Sequence, residues 1–129
     1  MRAVDTNVLV RLVTGDDARQ TEAAERFVAP GAWVSLLALA ETACVLDSVY
    51  DKRPADIARA VDMLLKHAHL TLEDRDVVAA ALESFQEHAT LRFFDCLLLE
   101  RARKAGHLPL GTFDRALARL DGTERIEPR

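Results

Sequence analysis

Short apolar runs bounded by turn residues alternate along this chain with longer stretches whose apolar positions recur every three or four residues. Residues 2–5 read as a strand, and Asn7 to Val13 carries a helical pattern. Gly15-Asp16-Asp17 interrupts it, and a second helix over about 18–29 places Ala24, Phe27 and Val28 on one face. Pro30-Gly31 ends that helix; Trp33 to Leu36 then predicts a strand and Leu37 to Tyr50 a helix. Pro54 suits the first turn of the next helix, with Ile57, Val61, Leu64, Leu65 and Ala68 as its stripe. Leu70-Thr71-Leu72 predicts a short strand, and Asp74 opens a helix with Val77, Val78, Ala81, Leu82 and Phe85 inward.

The last third is the most regular. A helix from about Phe94 stops at Gly106, with Arg101, Arg103 and Lys104 in its final turns, where cations suit the helix dipole. Leu110 to Phe113 predicts a strand, a short helix follows and ends at Gly122, and Arg125-Ile126 predicts a last strand. Strands alternating with helices predict an α/β fold on a mostly parallel sheet, whose sites lie beyond the carboxyl ends of the strands.

Composition narrows the setting. The 129 residues show no repeat, linker or low-complexity run, so a single domain over 1–129 is expected. The longest uncharged apolar stretch, Ala32 to Ala40, is too short to span a bilayer, and Asp5 falls where a signal peptide needs an apolar run. Cys44 and Cys96 have no ligand-like spacing and read as buried, reduced thiols, so a cytoplasmic location is expected. The net charge of −4 argues against gripping nucleic acid by electrostatics alone, though not against an enzyme whose bound cations supply positive charge.

Four acids then stand out. Glu41 has Leu37, Ala38, Cys44 and Val45 as its helical neighbours, a costly place for a carboxylate unless it is paired, bound to metal or at the edge of the stripe. Asp95 follows Phe93-Phe94 and precedes Leu98-Leu99, where a helix-opening acid is the plain alternative. Asp5 and Asp114 end apolar strands, and each alone is explained as a cap or Asx turn. Together, carboxylates gathered at one sheet edge would repel one another unless a hard divalent cation such as Mg²⁺ or Mn²⁺ sat among them.

Asp5-Thr6-Asn7 after the first strand, Glu41 in SLLALAETACVL, Asp95 in FFDCLLLERARKAG and Asp114 in LGTFDRALARL resemble the PIN-domain family, in particular VapC-type toxin ribonucleases, over about residues 2–126. The resemblance implies a three-layer α/β/α sandwich with a mostly parallel central sheet of four to five short strands. It implies a Mg²⁺- or Mn²⁺-dependent endoribonuclease that leaves a 5′-phosphate and a 3′-hydroxyl. Its metal-binding, catalytic acids map onto Asp5, Glu41, Asp95 and Asp114, and its polar support residues onto Thr6, Asn7 and Thr112. It also implies a cognate antitoxin, and the apolar helices at 37–50 and 54–68 are where an antitoxin helix and a homodimer contact are expected. One position departs from the family pattern: an acid three residues before the third acidic position is here Arg92, which pairs with a site carboxylate or contacts RNA phosphate. Arg115, beside Asp114, is a second candidate phosphate contact.

Two rival functions share this chemistry. A phospho-acceptor receiver domain would need a lysine near the end of a late strand, and Lys52, Lys66 and Lys104 are not so placed. A non-catalytic module whose acidic cleft recognises a basic peptide or partner suits the net charge, and a metal-dependent cleavage assay separates it from the nuclease.

Overall fold

The first strand is only two residues long because the chain turns almost at once into a helix. In the computed structural model, which describes residues 1–88 and 90–129, β1 (Arg2–Ala3) is followed by α1 (Thr6–Thr14). Val4, expected inside the strand, is buried and still donates its N–H to the Trp33 carbonyl. Gly15 closes α1 in the left-handed conformation (φ 62°), a geometry glycine adopts without Cβ strain. Asp17 caps α2 (Ala18–Val28) by accepting the Gln20 N–H.

β2 (Ala32–Val34) begins one residue before the expected strand and stops two residues short of its end, because Ser35 is the cap of α3 (Leu36–Ser48), its Oγ accepting the Ala38 N–H. The Glu73 carboxylate takes a further N–H from the start of that helix, that of Leu36 at 2.8 Å. α4 (Pro54–Lys66) begins on its proline as predicted, and Ile57, Val61, Leu64 and Leu65 of the stripe are buried. Ala68 lies beyond the helix and is exposed, so it drops out of the stripe. Fully burying side chains such as Val61 and Leu64 is worth about 1.5–3 kcal/mol each, more than any single cap. β3 (Leu70–Leu72) completes a parallel sheet in the order β1-β2-β3, with Arg2 opposite Ala32 and Ala32 opposite Leu70.

These elements form one unit, Met1–Arg75; residues Asp76–Arg129 form a second. The second holds most of α5 (Arg75–Glu87), then α6 (Phe93–Ala105), β4 (Leu110–Thr112), a 3₁₀ turn (Leu117–Arg119) and β5 (Thr123–Arg125). α5 buries Val77, Val78, Ala81, Leu82 and Phe85, the set the periodicity predicted, and Phe85 meets Phe93 edge to face at 5.8 Å. β4 and β5 pair in parallel in a ladder of their own. The result is an α/β fold of six helices and short parallel strands among the described residues. None of those helices is long and apolar enough to cross a membrane. Neither cysteine forms a disulfide; Cys96 is buried as expected, whereas Cys44 is only half-buried.

Candidate active site

Within Met1–Arg75, Asp5 stands between β1 and α1 in extended conformation and is the N-cap of the helix. Its Oδ1 accepts the Val8 N–H at 3.1 Å, and Oδ2 has no hydrogen bond among the described residues. The cap reading from the sequence is therefore correct, and it occupies only half of the carboxylate. Thr6, the first residue of α1, donates its hydroxyl to Glu41 Oε1, which ties the start of α1 to the second turn of α3. Asn7 is exposed and, with Asp5, lines a shallow cavity of about 360 Å³ whose wall continues along Val8, Ala23 and Phe27.

Of the readings the sequence left open for Glu41, the structure shows the edge of the stripe and not a buried carboxylate. Glu41 is exposed, and Leu37 one turn earlier is 83% exposed. The buried side of α3 is formed by Ala38, Leu39, Ala40, Thr42, Ala43 and Leu46. Because α3 is apolar almost all round, its solvent face also carries apolar residues, and sequence neighbours could not reveal which side Glu41 shares. The carboxylate needs no partner to offset burial; what fixes it is the Thr6 hydroxyl.

Within Asp76–Arg129, Asp95 lies in the first turn of α6 and is half-buried. Burial, and then the negative charge of Asp114, push its carboxyl above the usual carboxylate range, while Arg92 pulls it back in part. Arg92 is the exposed N-cap residue of α6 and makes no side-chain capping bond, so its charge acts on Asp95 without serving the helix terminus. Asp114 is exposed beyond β4. Its Oδ1 accepts the N–H groups of Ala116 and Leu117 at 2.7 and 3.1 Å, and its own N–H donates to Thr112 Oγ1 at 3.0 Å. As at Asp5, Oδ2 has no hydrogen bond among the described residues. Arg115 follows it, exposed. Cys96, next to Asp95, is buried and its thiol is pushed up by burial, which keeps it protonated and unreactive.

The structure thus links Glu41 to the Asp5 turn through Thr6, and couples Asp95 to Asp114 through their charges. Among the described residues, no group of three or more His, Cys, Asp or Glu side chains is set to hold a metal ion. Two features escaped the sequence. Asp16, which the sequence marks only as part of the break after α1, accepts from Arg11, Thr14 and Tyr50, leaving the cap to Asp17. Phe113, read as part of a strand, is 65% exposed; the Asp114 cap immediately after it was the available signal that the strand had ended.

Over residues 2–123 the sequence matches the family described as PIN domain. No curated protein and no solved structure matches it significantly.

Proposed function

Because the chain belongs to the PIN-domain family, whose members are in general nucleases, we propose that it is a Mg²⁺- or Mn²⁺-dependent endoribonuclease acting as a single domain over residues 1–129. The observation that carries this reading is the unused oxygen on each strand-end aspartate. Asp5 and Asp114 each commit Oδ1 to backbone N–H groups and keep Oδ2 without a partner among the described residues. A capping bond holds a carboxylate in one orientation, so its second oxygen is a preorganised donor. Burial first, and then the charge of Asp114, push the Asp95 carboxyl up, and the second of these supports the same reading, since a cation relieves repulsion between carboxylates. An all-carboxylate donor set, with neither thiolate nor imidazole, fits hard divalent ions.

In this proposal, as the family resemblance implies, Asp5 and Asp95 are the principal metal ligands; Glu41, in the same unit as Asp5, binds the ion or takes a proton from water, and Asp114, in the same unit as Asp95, serves as a ligand directly or through water. Thr6 keeps Glu41 oriented and Thr112 holds the backbone at Asp114, which are the roles expected of groups behind a metal site. Asn7, which lines the same cavity as Asp5, is assigned a supporting role beside it. A divalent ion bound there supplies positive charge to the scissile phosphate and acidifies a water for in-line attack. Arg92 and Arg115 offer cations for flanking phosphates, Arg92 in competition with its pull on Asp95.

The finer biological reading is a cytoplasmic toxin with a cognate antitoxin and a homodimeric state. It is supported by exposed apolar side chains on α3, Leu37 at 83% and Val49, just past its end, at 72%. Cleavage of single-stranded RNA in Mg²⁺ or Mn²⁺, abolished by chelator and by Asp95→Asn, is the expected result. Equal cleavage in excess chelator overturns the hydrolytic reading, and tight metal-independent capture of a basic peptide without cleavage favours the binding module. For the partner reading, co-expression with the neighbouring open reading frame should yield a stable, RNase-silent complex.

A further inference from the structure

The cavity of about 360 Å³ that Asp5 and Asn7 line is shared by α1 and α2, which add Arg11, Gln20 and Phe27 to its walls. That volume, and a mostly apolar lining with a few polar groups, suit a small ligand. Two of the lining groups are held from behind. Arg11 donates from one terminal nitrogen to Asp16 at 2.9 Å and to the Tyr50 hydroxyl at 3.1 Å, and its Nε donates to Gln20 Oε1 at 2.6 Å. The Gln20 oxygen is therefore taken, and its amide nitrogen has no hydrogen bond among the described residues. An amide held by its oxygen offers N–H and not C=O to a ligand. Phe27 is backed by Arg2, whose guanidinium lies 3.7 Å from the ring centroid and donates to the Phe27 carbonyl at 3.1 Å. Arg2 is not part of the cavity wall, so the ring meets the cavity with what Arg2 leaves uncovered. Asn7 makes no side-chain hydrogen bond among the described residues and can turn either end of its amide inward.

A planar ligand carrying a carbonyl uses these groups together: its face packs on Phe27 and its oxygen accepts from Gln20. Unpaired nucleobases are such ligands, stacking on aromatic rings and hydrogen-bonding along their edges. Uracil and guanine present a carbonyl where cytosine and adenine present an amino group, and an amino group would meet the Gln20 N–H donor to donor. The competing occupant is a cationic side chain of a partner protein, drawn by Asp5. Such a side chain carries donors only. It would satisfy Asp5, yet it would oppose the Gln20 N–H groups and stand against Arg11 in the same wall. Asp5 and Asp16 are also matched by Arg11 and Arg2, so these groups leave no surplus negative charge to draw it. We propose that this cavity seats a keto nucleobase of single-stranded RNA, stacked on Phe27 and selected by the Gln20 amide nitrogen. The proposal rests on the nuclease reading above for RNA as the ligand and for placing the neighbouring phosphodiester at Asp5. It adds to that reading the residues that set which base is held. A duplex keeps its bases paired, so it cannot fill the cavity.

The test uses the full chain carrying Asp95→Asn, which lies outside the cavity and lets RNA survive in Mg²⁺. Fluorescence anisotropy compares oligouridylate with oligocytidylate of equal length. Oligouridylate should bind about 2- to 12-fold more tightly, the range of one hydrogen bond. Adding Gln20→Ala should equalise the two strands. Gln20→Glu, which pairs with Arg11 through one oxygen and offers the other as an acceptor, should reverse the preference. Phe27→Leu should weaken both strands by about 5- to 100-fold, the loss of one base–aromatic stack, and Phe27→Tyr should keep them; melting curves confirm that each variant is folded. Equal affinity for the two strands before Gln20 is changed overturns the proposal, as does a preference that survives Gln20→Ala or strand affinity unmoved by Phe27→Leu. Uridine monophosphate competing as well as the strand makes this a free-nucleotide site and overturns it. A basic peptide bound through Phe27, with RNA affinity indifferent to that ring, overturns it in favour of a protein partner. A base preference that follows Gln20 in a parent chain that never cleaves RNA retains this inference and sinks the nuclease. Cleavage by a parent chain whose strand affinity ignores Gln20 and Phe27 does the reverse.

Discussion

Replacing Asp5 by asparagine and by alanine separates two demands on one side chain. Oδ1 caps α1 by accepting the Val8 N–H at 3.1 Å; the proposed metal uses the other oxygen. Asparagine keeps a carbonyl acceptor and caps about as well as aspartate, so it loses only the charge at the helix N-terminus, about 0.3–1 kcal/mol at low ionic strength. Alanine loses the acceptor as well, typically about 1 kcal/mol more. The helix has nine residues, so it depends on its cap and on burying Leu9, Val10 and Leu12. For a chain of this size 1 kcal/mol moves the melting temperature by about 3–5 °C. Asp5→Asn should therefore melt about 1–5 °C below the parent, and Asp5→Ala about 4–10 °C below it. In high salt the asparagine variant should return toward the parent while the alanine variant stays low, because salt screens the dipole term and leaves the missing hydrogen bond. Metal-dependent RNA cleavage, followed on a fluorogenic oligoribonucleotide well below both melting temperatures, should fall at least about 100-fold in both variants, the scale of losing one preorganised electrostatic group. Parental cleavage by Asp5→Asn, with loss in Asp5→Ala only to the extent that it unfolds, would show that Asp5 is a cap and nothing more.

Thr6→Val removes the donor to Glu41 without changing side-chain volume, and cleavage should drop about 10- to 100-fold with little change in melting; equal activity would leave Glu41 without a supporting role for Thr6. Arg92→Ala should raise the pH at which the Asp95 carboxyl titrates in the metal-free protein, since Arg92 is the one influence pulling it down, and NMR titration of that carboxyl reads it directly. If Arg92 also meets phosphate, the salt slope of RNA binding becomes shallower in the same variant. Tyr50→Phe tests the Asp16 network: hydrogen bonds from Thr14 and Tyr50, and then the charge of Arg11, hold the Asp16 carboxyl below the usual range. The unfolded state therefore binds the proton more readily, so this stabilisation is present at neutral pH and lost as pH falls from the ordinary carboxylate pKa through the lowered folded one. The variant should melt lower at pH 7 and show a smaller further loss on acidification; parallel acid curves for the two proteins would contradict the linkage.

Local chemistry was the legible part of the fold. Leu70–Leu72, Pro54 at the start of α4, and the glycine stops at Gly15 and Gly106 all act within a few residues, so the sequence alone placed them. Boundaries slipped where a cap competed with an apolar run. Ser35 and Glu73 start α3 earlier than its hydrophobic pattern, and Glu73 reaches it from 37 positions away. The arrangement of β4 and β5 as their own parallel ladder depends on partner choice, which short strands do not encode. At the candidate site, the capping geometry of Asp5 and Asp114 was readable, whereas the exposure of Glu41 was not. In a helix with few polar residues, hydrophobic spacing loses its power to tell inside from outside. The Thr6–Glu41 bond and the exposed ring of Phe113 are tertiary facts, created when separate elements meet or stop.

The split use of each strand-end carboxylate has an evolutionary consequence. Aspartate and asparagine cap a helix almost equally, so a single amide at position 5 or 114 can silence the proposed chemistry while leaving the turn, the helix and the surface intact. Inactivation by this route leaves a folded copy that competes for whatever the active protein binds. A lineage carrying such a copy would gain a decoy from one substitution, without having to evolve a new fold or a new interface.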